Sequence, residues 1–149
     1  MVDLVEMGLP LFDEPHHPRL QRYEHEHTKR WSAKVSEADA FVFVLPEYNF
    51  NPPPSFVNAI DYLVKEWGYK PAAFVSYGGI SGGLRAVQVA KGLLTTLNVM
   101  PIPEAVVLPM FGKQLQDGVF QPSEANEAAA KTALRELHRW ATALITLRV

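Results

Sequence analysis

Two kinds of apolar pattern alternate along this chain. Short runs such as Ala40-Phe41-Val42-Phe43-Val44-Leu45 are apolar at every position, which suits a strand covered on both faces in a parallel sheet. Longer segments space their apolar residues three and four apart, which suits a helix with one face on that sheet. Met1 to Glu6 alternates Val2 and Leu4 with polar neighbours and predicts a first strand, ended by Gly8 and Pro10. Leu9 to Pro15 is a proline-broken loop. Gln21 to Glu37 predicts a solvated helix that turns Trp31 and Val35 inward, and Ala40–Leu45 follows as the second strand. Pro52, Pro53 and Pro54 hold the chain extended before a helix capped by Ser55. Its apolar stripe is Phe56, Ile60, Leu63, Val64 and Trp67, and Gly68 ends it. Ala72–Tyr77 predicts the third strand, and Leu84–Leu97 the next helix. Met100–Leu108 predicts the last strand, with Pro101 and Pro103 confining regular pairing to Ala105–Leu108. After a turn at Asp117-Gly118, Ser123 caps a long helix that reaches Leu147.

The order β, α, β, α, β, α, β, α predicts a mostly parallel sheet of about four strands, with four helices shared between its faces. The 149 residues are about one domain's worth, so 1–149 is read as a single unit. Absence of cysteine excludes disulfides, zinc-thiolate sites and cysteine nucleophiles. A formal charge of −2 without a Lys/Arg run argues against a nucleic-acid partner. The longest apolar run is far short of the roughly 20 residues of a membrane helix, and no signal peptide is evident, so a cytoplasmic protein is expected.

In an open parallel sheet, ligands sit beyond the carboxyl ends of the strands. Two loops occupy that position, Pro46-Glu47-Tyr48-Asn49-Phe50-Asn51 and Ser76-Tyr77-Gly78-Gly79-Ile80-Ser81-Gly82-Gly83. The second leads into a helix N-terminus, but no Gly-Lys-Ser/Thr follows and its glycine order differs from the dinucleotide fingerprint. By itself it is either a tight strand–helix turn or a cradle for a flat ligand. His16, His17, His25 and His27 cluster near the N-terminus. Placed two apart on a helix, His25 and His27 would face different ways, as solvated surface does.

The run Pro46-Glu47-Tyr48-Asn49, the prolines after it and Asn58-Ala59-Ile60-Asp61-Tyr62-Leu63 resemble the NADPH-dependent FMN reductase family. Gly82-Gly83-x-Arg85-Ala86 and Leu9-Pro10-Leu11-Phe12 extend the resemblance over essentially the whole chain, although Val57 and Tyr62 stand where the family usually has Lys and Trp. The resemblance implies a flavodoxin-like three-layer sandwich, FMN as cofactor, NADPH or NADH as co-substrate and a small-molecule electron acceptor. It implies that Pro46, Glu47, Tyr48 and Asn49, with Phe50, border the flavin ring through their backbone. Ser76, Tyr77, Gly78, Gly79, Gly82 and Gly83 would close the other side. It also implies a homodimer or tetramer. Read as a residue, Glu47 is either a general base or, as expected here, turns its side chain to solvent or the partner subunit while its backbone binds. Tyr48 and Phe50 would stack on a flavin or quinone, or pack on that partner. No catalytic side chain or metal is implied, because the chemistry belongs to the cofactor.

The family's first strand, phosphate loop and helix have no counterpart here. In the order 2-1-3-4-5 this predicts a gap at the sheet centre, or direct pairing of Val2–Glu6 with Ala40–Leu45. Three lost charge-assisted hydrogen bonds would cost about 4.5 kcal/mol, roughly a thousandfold in FMN affinity. Arg85 and the helix start at Gly82-Gly83 are the remaining candidates for a phosphate. Competing expectations are a relative that keeps the fold without the cofactor, and a one-electron carrier.

Overall fold

A computed structural model describes residues 1–148. Its centre is a parallel sheet of three strands in the order β1-β2-β3, with β1 at Phe41–Pro46, β2 at Pro71–Gly78 and β3 at Met100–Pro109. Helices α2 (Glu26–Ser36), α3 (Pro54–Asp61) and α4 (Leu84–Thr95) cover one face. Helix α5 (Glu124–Leu144) covers the other, where its Leu137 meets Ala73 and Ile102. The alternation of elements and the two-sided cover match the expectation from the apolar patterns.

The first segment differs. Leu4–Met7 is a short helix, α1, not a strand. The Asp3 carboxylate accepts from the Val5 amide at 2.9 Å, and Gly8 closes the turn at φ 61. Two alternating apolar residues are too few to specify a strand, and the two caps decide for a helical turn. Leu4 and Met7 still reach the core. Val2–Glu6 therefore does not pair with β1, and the sheet has three strands rather than about four, with no central gap. β1 becomes an edge. Its Val42 and Val44 share the face of their partners Ala73 and Val75, yet are 44% and 61% exposed, because α5 lies over β2 and β3.

Other boundaries move for local reasons. α2 starts at Glu26, five residues later than expected, because the Glu14 carboxylate accepts from the Glu24 and His25 amides at 2.8 and 3.0 Å and holds the chain extended up to the helix. Ser55 does not cap α3; Pro53 is the cap and Pro54 presets the first helical φ. The predicted stripe outlasts that helix. Leu63 and Trp67 are buried from the segment after it, Trp67 in a 3₁₀ turn at Lys65–Trp67. β3 starts at Met100, and the chain absorbs Pro101 and Pro103 by a register shift between Ala72 and Phe74. Asp117-Gly118 turns a hairpin of β4 (Leu115–Gln116) and β5 (Val119–Phe120). Ser123 caps α5 with Asn126 in a reciprocal capping box.

Glu14 offers a check on the α2 start. Burial pushes its carboxyl up, but the Glu24 amide, the Thr28 hydroxyl beside it and the His25 amide together hold it below the ordinary value. A folded-state pKa below the unfolded one contributes stability above the unfolded pKa and loses it as pH falls through the folded value. Glu14→Gln is expected to lower stability at pH 7 by about 1.5 kcal/mol and to flatten the fall as the solution is acidified below the ordinary carboxylate range. Urea midpoints across that range measure both.

Candidate functional site

Both expected loops lie at the carboxyl ends of β1 and β2, side by side. Each has its own construction. After β1, Tyr48 and Asn51 exchange backbone hydrogen bonds at 2.9 and 3.0 Å, closing a two-residue hairpin over Asn49 and Phe50. Both central residues are left-handed, at φ 52 and 70, as a type I′ turn requires. Asn is suited to this; Phe is not. The Asn51 side chain supports the turn by donating to the Asn49 carbonyl at 2.9 Å. Tyr48 and Phe50 stand exposed beside it.

The hairpin changes which backbone groups remain for a ligand. Pro46 has no N–H, and the Tyr48 N–H is used by Asn51. The N–H groups of Asn49 and Phe50 have no protein acceptor among the described residues.

The second loop divides into an open half and a packed half. Gly79 is exposed, and with Gly78, Met110, Phe111, Gly112 and Lys113 it lines a shallow cavity of ≈ 380 Å³. Tyr77 packs edge-on against Phe111, with ring centroids 5.0 Å apart. Ser76, Gly82 and Gly83 are buried. A Cβ on Gly82 would come within 2.6 Å of Val107 Cγ1, and one on Gly83 within 2.8 Å of Ser76 Cβ. These glycines let the loop press onto β2 and β3. The larger cavity, ≈ 710 Å³, lies at the opposite, amino end of the strands, around Lys70, Glu66 and Arg148.

Glu47 joins the loops, contrary to the expectation that its side chain faces outward. Its side chain is only 9% exposed. Oε2 accepts from Ser81 Oγ at 2.8 Å and from the Arg85 amide at 3.1 Å, while Oε1 pairs Arg85 Nη1 at 3.3 Å. Burial pushes this carboxyl up, but Ser81, the Arg85 and Ala86 amides and the Arg85 charge together hold it below the usual range. Arg85 is therefore already engaged, by Glu47 and by the face of Phe50, whose ring centroid lies 4.2 Å from the guanidinium carbon.

The remaining motif residues brace the loop before α2. Asn58 receives the Phe12 amide at 2.9 Å and donates to the Pro10 carbonyl at 2.7 Å. The Tyr62 hydroxyl donates to Asp13 Oδ1 at 2.9 Å, and His27 Nε2 lies 2.9 Å from the same oxygen. His25 sits just before α2 in extended conformation, so its ring stacks on His27 instead of facing away. Sequence reasoning missed this Asp13–His27–Tyr62 cluster, since nothing local links residues 49 apart.

Comparison with known proteins bears on this arrangement. The sequence model of NADPH-dependent FMN reductases matches residues 1–113, both loops included. The chain belongs to the NADPH-dependent FMN reductase family. It is 41% identical over 126 residues to an NAD(P)H-dependent FMN reductase of Schizosaccharomyces pombe, covering 82% of this chain and 62% of that protein. To an NAD(P)H-dependent FMN reductase of Nectria sp it is 32% identical over 142 residues, covering 89% of this chain and 70% of the other. The chain thus spans about two thirds of the length of these relatives. Among solved structures, FerB of Paracoccus denitrificans, a flavoenzyme NAD(P)H:(acceptor) oxidoreductase, superposes with a TM-score of 0.66 at 23% identity, over 94% of this chain and 78% of FerB. The fold is flavodoxin-like α/β. Among the described residues, no helix of this family member is long and apolar enough to cross a membrane.

Proposed function

We propose that this chain carries the flavin-ring site of an FMN-dependent NAD(P)H oxidoreductase acting on small-molecule acceptors. The observation that carries this reading is the Tyr48–Asn51 hairpin. It holds two uncommitted N–H donors, on Asn49 and Phe50, in a fixed left-handed turn beside the open glycine surface at Gly79. Such a pair suits the carbonyl and nitrogen acceptors along the polar edge of a flavin ring. The exposed Tyr48 and Phe50 rings add apolar area next to them. FMN, when bound, supplies the hydride-accepting and electron-donating chemistry. The chain's own residues orient the ring and limit water around it.

Glu47 is held ionised and its oxygens are already engaged. A homodimer or tetramer accompanies this reading, because Tyr48, Phe50, Ile80 and Leu84 leave an apolar surface around the site for a second copy to cover. So does a cytoplasmic location, where NADPH and NADH are at hand.

A second reading has its own support. The α4 N-terminus and Arg85, the two phosphate candidates within these residues, are engaged by Glu47, which favours weak FMN binding by this chain with the ring loops intact. Titration of FMN fluorescence, with gel filtration and NAD(P)H oxidation assays, separates the two. Co-elution of FMN and flavin-dependent turnover, abolished by Tyr48→Ala with Asn49→Ala, supports the oxidoreductase reading. Ring-limited, weak binding without turnover supports the second. No quenching at any FMN concentration overturns both.

A further inference from the structure

The start of α4 lacks a cap of its own. Its N-cap is Gly83, which has no side chain to offer the first-turn amides. A carboxylate from 38 residues away fills the position. Glu47 Oε2 takes the Arg85 amide, and it also takes the Ser81 hydroxyl, whose oxygen in turn accepts from the Gly83 amide at 3.3 Å. A carboxylate is favoured there by the helix dipole as well as by these donors. Glu47 is also the residue immediately before the Tyr48–Asn51 hairpin. Its other oxygen pairs with Arg85, whose guanidinium carbon sits over the Phe50 ring, 4.2 Å from its centroid. Phe50 occupies a left-handed conformation that its side chain does not favour, so something outside the turn must hold it.

From this we infer that Glu47 is a positioning residue, whose carboxylate clamps the β1 loop to α4 and, through Arg85 on the Phe50 ring, fixes the hairpin that presents the Asn49 and Phe50 amides. The inference rests on the flavin-ring reading for its consequence but not for its geometry. It divides labour within the motif. Tyr48 to Phe50 form the presenting surface, while Glu47 faces away from it and sets its angle against Gly78–Gly83. It also explains why the loop tolerates an exposed left-handed aromatic residue: Arg85 covers one face of the ring and is itself kept in place by an ion pair.

Amide hydrogen exchange on the full chain tests the clamp without requiring bound flavin. In Glu47→Gln, protection at the Tyr48 and Asn51 amides is expected to fall about tenfold or more, while the β1–β2 ladder amides keep theirs. Ser81→Ala, which leaves the Arg85 pair intact, is expected to give a smaller loss at the same amides. Unchanged protection at Tyr48 and Asn51 in Glu47→Gln overturns the inference. So does an equal loss in hairpin and ladder, since that is global destabilisation. Where the wild-type chain binds FMN, Glu47→Gln is expected to weaken that binding about tenfold. A wild-type chain that ignores FMN contradicts the functional reading and leaves the exchange result to judge the clamp.

Discussion

Trp67→Ala is expected to cost about 3–5 kcal/mol of folding stability, the range for emptying a fully buried tryptophan site. Trp67 is 1% exposed and stands where α2, α3 and β1 meet. Its ring lies edge-on to Phe41 at 5.0 Å and to Trp31 at 5.9 Å, with Phe43 tilted at 6.4 Å, so truncation leaves three aromatic neighbours facing a void. The indole N–H also donates to the Ile60 carbonyl at 3.1 Å, in a place water does not reach. Losing that donor leaves the buried Ile60 carbonyl with the Leu63 amide alone, at 3.3 Å. Trp67→Phe separates the two effects. It keeps most of the packing and removes the donor, and is expected to cost about 1–3 kcal/mol. Urea unfolding followed by far-ultraviolet circular dichroism reads both without relying on tryptophan emission. Since whole domains hold only about 5–15 kcal/mol, the alanine variant is expected to be partly unfolded under mild stress. A loss below about 1.5 kcal/mol would show that the neighbouring aromatics collapse into the space.

Gly83→Ala is expected to cost about 3 kcal/mol, from two sources that act together. The backbone is at φ 85, where a β-carbon is strained in any surroundings. The surroundings are also closed: the new carbon would lie 2.8 Å from Ser76 Cβ and 2.9 Å from the Tyr77 nitrogen, which belong to the central strand and cannot move aside cheaply. Gly79→Ala is the control. It has open space within 4 Å and no positive φ, so it is expected to change stability by less than about 1 kcal/mol. The consequence reaches the site, because Gly83 begins α4 and Ser81 and Arg85 flank it. A displaced helix start would pull both partners away from Glu47. Thermal unfolding of the two variants provides the comparison. Equal stability would mean that the loop, not the strand, sets the close approach.

What was legible in the sequence was whatever a few neighbouring residues encode. The unbroken apolar run Ala40–Leu45 marked β1, because a strand apolar on both faces needs a covered sheet. Ser123 and the periodic segment after it marked α5, and the glycines marked a sharp turn into α4. The Pro46–Asn49 and Asn58–Tyr62 motifs pointed to the family. Met1–Glu6 failed because the alternation was only two residues deep, and caps at Asp3 and Gly8 competed with it. His25 stacks on His27 because it lies one residue before α2, outside the helical spacing that would turn the two rings apart.

Local pattern and turn chemistry thus specify the class of fold, the principal strands and helices, and the two loops at which a flat cofactor is sought. The tertiary structure alone decided the direction of each side chain within those loops. Glu47 turns inward because the uncapped start of α4, 38 residues later, offers its carboxylate an amide and a hydroxyl, with an ion pair beside them. Ser76, Gly82 and Gly83 are buried because the loop folds back, Gly82 onto β3 at Val107 and Pro109 and Gly83 onto β2 at Ser76 and Tyr77. Asp13, His27 and Tyr62 meet because α3 and the loop before α2 are held on the same side of the sheet. Periodicity and turn chemistry act over a few residues, whereas these contacts join positions brought together only when the sheet has formed.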